Sequence, residues 1–378
     1  MKVDGFLKSM MGKGGKLLKG IMKQNSTETC SRENVALWLN ILDKTKHLIN
    51  TAECAEINAM RARISDLDAM ERMLVPGQHF SLIFSGKTNV GKSTLLNALL
   101  GDTVAPTKNC PWSSTAVEYQ YSDGQYELII PLEGFKSLHL KFDSSSALLA
   151  ELNRHAVEGS SFQTDRPLIV RLPEEWLQGD VVVVDTPGMG ASDGNSDEGL
   201  HNEILIKYLQ ERATNCRVFW VVKDNISQEE LDFFREHLAD RCCDLINNVT
   251  DDIDDSFKIE FEKLYKKSVG HTAHFHYVDA KSAVKALKTQ DNKLLAESGI
   301  QELKAYLSSF VTLPGRINIV RKDLESFFQD IGDLLHSISR CHCRWKPTAW
   351  GTLDTLLNCD FELQRKFRNL KGSNHYGK

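Results

Sequence analysis

The 378-residue chain contains no apolar run that approaches the length of a membrane span. It lacks the pattern of a secretory signal, because the apolar residues at its start are repeatedly interrupted by Lys and Gly. It has no positive excess either. The formal net charge is −5, so bulk electrostatics give no reason to expect nucleic-acid binding. Nor is there a cysteine framework. The nine cysteines are scattered and odd in number, which reads as reduced thiols of a cytoplasmic protein rather than a disulfide scaffold. Cys341, His342 and Cys343, with His336 nearby, have no second ligand pair at finger-like spacing and read as ordinary helix residues. What remains is an ordinary globular composition, 41% hydrophobic and 26% charged, long enough for one large domain and a smaller one.

Against that plain background, residues 86–93 read Gly-Lys-Thr-Asn-Val-Gly-Lys-Ser. Phe80 to Phe84 before it form an apolar run of strand length, and Thr94 to Leu100 after it an apolar helical run. This is the strand–loop–helix context that a phosphate-binding loop requires. Gly86 and Gly91 let the backbone curl so that its N–H groups, with Lys87, Thr88, Asn89, Val90 and Thr94 along the cradle, face a phosphate chain. Lys92 reaches the outer phosphates and Ser93 coordinates Mg²⁺. A second signal is Val181 to Val184 followed by Asp185-Thr186-Pro187-Gly188. Four valines fit a central parallel strand buried on both faces. Asp185 at its end falls where the second shell of Mg²⁺ would lie. The Gly188 N–H then meets a γ-phosphate, so the order of this loop depends on that phosphate.

The organisation around these motifs is modular. Residues 1–23 carry Phe6, Leu7, Met10, Met11, Leu17, Leu18, Ile21 and Met22 at helical spacing, with Lys8, Lys13, Lys16, Lys19 and Lys23 between them. Such a basic amphipathic segment suits an anionic membrane surface. Gly12, Gly14, Gly15 and Gly20 weaken a helix, so a flexible tail, or a helix docked on the protein's own core or on a partner, stays open as the other reading. Residues 24–32 read as a polar linker. Residues 33–76 form a helical neck, 78–313 an α/β domain, and 316–378 a C-terminal helical segment that begins after Pro314-Gly315. The two flanking helical segments are expected to pack together as a short bundle.

With these motifs in hand, the chain resembles the translation-factor-like GTPases and, within them, the dynamin-like GTPases of bacteria. The loop by itself is similar to ribosome-assembly GTPases of the Era type. Asp185, however, lies 93 residues beyond Lys92, whereas compact Era- or Ras-like domains have a much shorter interval. Dynamin-like domains lengthen it with extra strands, and Tyr126–Ile130 and Leu168–Leu172 are strand-like here. The resemblance implies an α/β fold, with a mostly parallel central sheet extended by extra strands and a short helical bundle or neck drawn from both termini. It implies Mg²⁺-dependent GTP binding and hydrolysis, coupled to self-association and to membrane contact or remodelling. The location implied is cytoplasmic, peripheral at the inner face of a membrane. An Era- or TrmE-like GTPase serving ribosome or tRNA, and a weakly active nucleotide-binding partner of a second dynamin-like protein, are the alternatives.

The resemblance also assigns residues. Ala105-Pro106-Thr107 and Pro111-Trp112-Ser113-Ser114-Thr115 are similar to the first switch, with Thr115, or Ser114, holding Mg²⁺ and the γ-phosphate. Met189 stands where Ras-like enzymes carry a catalytic Gln. Water is then positioned by backbone, by Thr115 and by loop groups, aided by a monovalent cation (K⁺ or Na⁺) or by dimerisation across the nucleotide face. Lys87 reads either as a charge-stabilising group or as a solvated Lys, and Asn89 as the cation ligand. Asn248-Val249-Thr250-Asp251 is similar to the guanine motif, with Val249 in place of the usual Lys. Asp251 accepts from guanine N1 and N2, and Asn248 reaches the O6 and N7 edge; an acidic surface loop running into Asp252, Asp254 and Asp255 is the other reading. Tyr277 to Lys281 resembles the last base-contacting loop, with Ala280 and Lys281 against the base and Asp279 where a Ser is usual. The implied partners are GTP or GDP and a second dynamin-like chain, itself or a relative, with an anionic membrane surface at 1–23.

Overall fold

The computed structural model describes residues 32–51, 61, 64–75, 79–107, 116–132, 136–157, 166–179, 181–189, 198–211, 215–223, 225–238, 243–249, 254–269 and 274–340. The basic segment 1–23, residues 24–31 of the linker, Ser114, Thr115, Asp251 and residues 341–378 lie outside them, while Arg32, the last linker residue, already belongs to a helix. The chain divides into two compact units, one made of residues 1–71 with 317–378, the other of Arg72–Arg316.

The second unit is built on a nine-stranded sheet in the order β4-β3-β5-β2-β6-β1-β7-β8-β9. The strands are β1 (Phe80–Gly86), β2 (Val117–Tyr121), β3 (Tyr126–Pro131), β4 (Ser137–Phe142), β5 (Leu168–Leu172), β6 (Val181–Asp185), β7 (Cys216–Val222), β8 (Cys243–Asn248) and β9 (Phe275–Val278). Strands β6, β1, β7, β8 and β9 run parallel to one another. Strands β2 to β5 come from the long insert between Lys92 and Asp185, and all of them add to one edge. There β2 runs antiparallel to β6, β5 parallel to β2, and β3 antiparallel to both β5 and β4. The four valines of β6 are buried on both faces, but only one neighbour, β1, is parallel. The sheet is therefore mostly parallel and extended by extra strands, as expected.

Alternation of side chains sorts the sheet into two faces. On one face Ile83, Val182, Val184, Val218, Trp220, Val222 and Leu245 share an apolar cluster with Leu205 and Leu209 of α5 (Glu198–Glu211), Phe233 and Phe234 of α6 (Gln228–His237) and Phe261 of α7 (Asp255–Val269). The other face meets α3 (Lys92–Leu99) and α10 (Ile300–Ser308), and α8 (Ala280–Thr289) packs on α3. Phe310, just past α10, stacks on Phe80 at 5.4 Å between ring centroids, and Phe84 stacks on Phe219 at 5.2 Å. The remaining helices of this unit are α4 (Ser145–Val157) and the short α9 (Asn292–Glu297).

The described part of the neck is two helices, α1 (Arg32–Thr51) and α2 (Ile64–Met73). Trp38, Leu42, Thr45 and Ile49 form the buried stripe of α1 at helical spacing. Lys46, flanking that stripe, pairs with Asp68 at 2.5 Å and with Glu71. The last helix, α11, runs Leu313–Arg340 and so begins three residues before the expected start at 316. Pro314 stops nothing because it occupies the first turn, where its missing N–H has no helical partner to lose. The Thr312 side chain caps this turn by accepting from the Gly315 N–H at 3.2 Å. Gly315 is required, since a Cβ there would stand 1.9 Å from the Ser309 carbonyl oxygen.

A candidate nucleotide site at the strand ends

The loop after β1 is held open by contacts that only particular residues allow. Gly86 has φ 143°, and a Cβ there would lie 2.2 Å from the Val221 carbonyl oxygen on β7. Asn89 sits at φ 66°, a region in which Asn is tolerated better than most residues. Gly91 caps α3 without any side-chain hydrogen bond, so the first-turn N–H groups of α3 remain available to an anion.

Lys92 is buried and its ammonium donates to the carbonyls of Gly86 and Lys87, each at 3.0 Å. Burial lowers its pKa to about 8, against the raising influence of Asp185 and Glu230. Asp185 keeps some solvent exposure as a residue, yet its carboxylate is enclosed by protein. Burial raises it to about 6, opposed by the Lys92 charge and by a hydrogen bond from the Ser93 side chain. A hydroxyl and a carboxylate thus adjoin beside a buried cation. This donor set of hard oxygens fits Mg²⁺.

The loop after β6 lies against the phosphate loop. Thr186 donates through its hydroxyl to the Phe84 carbonyl at 3.0 Å. Met189 and Lys87 form a parallel β-bridge. In it the Thr88 N–H donates to Met189 O and the Met189 N–H to Gly86 O, both at 3.0 Å. The Thr88 hydroxyl adds a third bond to Met189 O at 3.3 Å. The approach is so close that a Cβ on Gly188 would stand 2.6 Å from the Thr88 hydroxyl oxygen.

At the base end, Asn248 joins three segments. Its amide donates to Val90 O at 2.8 Å, and its carbonyl accepts from the Ala280 N–H at 3.2 Å. A Cβ on Gly91 would collide with the same amide at 2.3 Å. Asp279, where the sequence departs from Ser, caps α8 by accepting from the Ser282 N–H at 2.9 Å. Lys281 is exposed on the first turn of α8. The structure therefore brings together Gly86 to Thr94, Asp185, Gly188, Asn248 and Ala280 in one loop cluster, while Thr115 and Asp251 fall outside the described residues.

Two contacts had no reading in the sequence. Lys87 pairs with Glu229 at 2.7 Å rather than standing free. Glu230, beside it, completes a capping box with Ser227 and accepts from the buried Trp220 indole at 3.0 Å. The Ser-x-x-Glu spacing was the available signal for Glu230; no local pattern announces the Lys87 partner.

Comparison with known proteins follows the same lines. The dynamin family model matches residues 82–242. A bacterial dynamin-like protein of Nostoc punctiforme is 25% identical over 206 residues, covering 50% of this chain and 27% of that protein. An uncharacterized protein from the xynA 3′ region of a Caldicellulosiruptor species is 30% identical over 115 residues, 30% of this chain and 27% of its own. A probable GTP-binding protein EngB of Petrotoga mobilis is 33% identical over 66 residues, 17% of this chain and 34% of its own. The chain thus spans about a quarter to a third of the curated relatives it matches. Among solved structures, an oligomerised bacterial dynamin pair, described as a mechanism for long-range sensing and tethering of membranes, aligns with 96% of this chain and 65% of its own at TM-score 0.48 and 16% identity. Among the described residues no helix is long and apolar enough to cross a membrane. The phosphate loop, Asp185 and the strands between them all lie inside the stretch, residues 82–242, over which the chain is similar to the dynamin family.

Proposed function

We propose that the chain binds GTP with Mg²⁺ and hydrolyses it. The observation that carries this reading is the convergence of Lys92, Ser93 and Asp185 at the ends of β1 and β6. Lys92 exchanges its two loop carbonyls for the outer phosphate oxygens, and the first-turn N–H groups of α3 face the same charge. When bound, Mg²⁺ neutralises phosphate oxygens from the side of Ser93 and Asp185. The Gly188 N–H serves the γ-phosphate once Met189 leaves the phosphate loop. Met189 carries no group that can orient water, so backbone, Thr115, Lys87 and a K⁺ or Na⁺ at Asn89 take that task. Asn248 braces the loop from the base side, and Asp251, with Ala280 and Lys281, selects guanine.

Similarity to the dynamin family over residues 82–242 supports coupling of turnover to self-association across the nucleotide face, and the pattern of residues 1–23 supports peripheral membrane contact. Both are part of this proposal. GTP turnover per molecule should rise with protein concentration or with anionic liposomes, and deletion of 1–23 should abolish liposome pelleting. Binding of GTP, ATP and XTP, compared by calorimetry, is the decisive test of the base end. GTP is expected to bind best and XTP weakly; equal affinity for all three would overturn the guanine assignment. Lys92→Ala should eliminate binding of every triphosphate. Retained binding in that variant would overturn the site itself.

A further inference from the structure

Tyr119 lies in the middle of β2 with no exposed surface, and its hydroxyl has no hydrogen-bond partner among the described residues. Buried hydroxyls are nearly always paired, and a Phe would fill this position without the penalty of an orphaned donor. The hydroxyl therefore calls for a reason.

The register of the sheet supplies one. Tyr119 pairs with Val183, and Val117 pairs with Asp185. Directly paired residues share a face, so Tyr119 and Asp185 are diagonal neighbours on one face of the β2–β6 ladder. Such neighbours are about 7–8 Å apart, within reach of an aromatic side chain. The Asp185 charge acts on the Tyr119 phenol and adds to burial in keeping its proton in place. Tyr119 thus places a hydroxyl donor diagonal to the Asp185 carboxylate. The ladder also joins the two segments assigned to the ion: β2 begins two residues after Thr115, and β6 ends on Asp185.

We propose that Tyr119 is a positioning residue for the Mg²⁺ site. Its hydroxyl donates, through one ordered water, to the Asp185 carboxylate and holds it in the orientation that accepts the ion's hydration shell. A Tyr here has no counterpart in the phosphate loop or in the base-binding loops. It acts on metal affinity, not on nucleotide recognition. This inference rests on the reading of Ser93 and Asp185 as the Mg²⁺ side of the site.

The test is Tyr119→Phe in the full chain, with a fluorescent guanosine diphosphate as probe. Mg²⁺ is titrated at fixed nucleotide, and nucleotide affinity and melting temperature are measured separately in EDTA. The half-saturating Mg²⁺ concentration is expected to rise about tenfold, as for loss of other outer-shell partners of a metal ligand. Nucleotide affinity in EDTA should be unchanged, and the EDTA melting temperature nearly unchanged, because Phe keeps the packing of the buried ring. An unchanged Mg²⁺ titration overturns the proposal. So does a fall in the EDTA melting temperature alongside the altered titration, which would mark a packing role. A wild-type protein that retains nucleotide equally with and without Mg²⁺ overturns the metal reading first, and the Tyr119 role with it; the two failures are therefore distinguishable.

Discussion

Arg217 with Asp244, and Lys92 with Asp185, are two buried pairs of opposite charge on the same face of one sheet, and the chain treats them in opposite ways. Asp244 accepts from the Arg217 guanidinium at 2.8 and 2.7 Å, from the Tyr306 hydroxyl at 2.9 Å and from the His274 N–H at 3.0 Å. Burial by itself would raise its pKa. The Arg217 charge and its hydrogen bonds oppose burial and hold Asp244 down to about 2. At the other end of the strands the balance reverses, and Asp185 is raised to about 6 while Lys92 is lowered to about 8. The first pair is complete, so it belongs to the fold. The second is left short of partners, which is the usual condition of a site that a charged ligand completes.

The comparison breaks most visibly under mutation. Asp244→Ala leaves Arg217 buried without its counter-charge and should cost about 3–5 kcal/mol in denaturant unfolding. Asp185→Asn removes an unfavourable charge and should be neutral or stabilising in the absence of nucleotide, while abolishing the Mg²⁺ response. The pH dependence sharpens the sign. Asp185 has a folded pKa raised above its ordinary 3.8, so its contribution is favourable below that value and is lost as pH rises through about 6. The stability advantage of Asp185→Asn over the parent should therefore grow between about pH 4 and pH 6, to on the order of 1–3 kcal/mol. Asp244 runs the other way: its contribution is present above 3.8 and is lost as pH falls toward about 2. A flat difference between Asp185→Asn and parent from pH 4 to 7 would remove the contrast.

The two regions also differ in how far they could be read from the chain. The phosphate loop was legible because its chemistry is local: Gly86, Gly91, Lys92 and Ser93 occupy one contiguous run, flanked by a strand and a helix. Two of the four extra strands, β3 and β5, were legible too, since the distance from Lys92 to Asp185 called for extra strands and both runs are strand-like in composition. Arg217 and Asp244 were not. Each sits at the start of an apolar strand, and only the parallel register of β7 and β8, together with α10 bringing Tyr306, makes them partners. Pro314-Gly315 misled for a related reason. Both are breakers by propensity, yet one falls in the first turn of α11 and the other answers a close contact with Ser309.

A smaller effect is expected where the two switchable loops meet. Gly188→Ala would drive a Cβ to within 2.6 Å of the Thr88 hydroxyl oxygen and 2.9 Å of its Cα. The bridge between Lys87 and Met189 must then part, at a cost of about 1–3 kcal/mol typical of a forced overpacking. Thermal unfolding of the nucleotide-free protein should register that loss. Thr88→Ala relieves only part of the collision, because the Thr88 backbone N lies 3.0 Å from the same Cβ, so the double variant should recover less than half of it. Full recovery would show that the hydroxyl, not the backbone approach, sets the requirement for glycine.

The mildest test concerns Lys87 and Glu229, which form the exposed counterpart of the buried pairs. Their contact is 2.7 Å, but the two side chains retain 32% and 59% of their exposure. Water screens such a pair, and its net contribution to stability should lie within about 1 kcal/mol and shrink further in salt. Its functional weight is a different matter, because Lys87 cannot serve Glu229 and a developing phosphate charge at the same time. Glu229→Gln should leave unfolding nearly unchanged while releasing Lys87 toward the nucleotide, so GTP turnover should rise and the rise should fade as salt weakens the pair in the parent. Lys87→Ala should cancel the gain in the double variant. If Glu229→Gln instead destabilises the fold by as much as Gly188→Ala, the pair belongs with Arg217 and Asp244, and exposure is a poor guide to which charges this fold depends on.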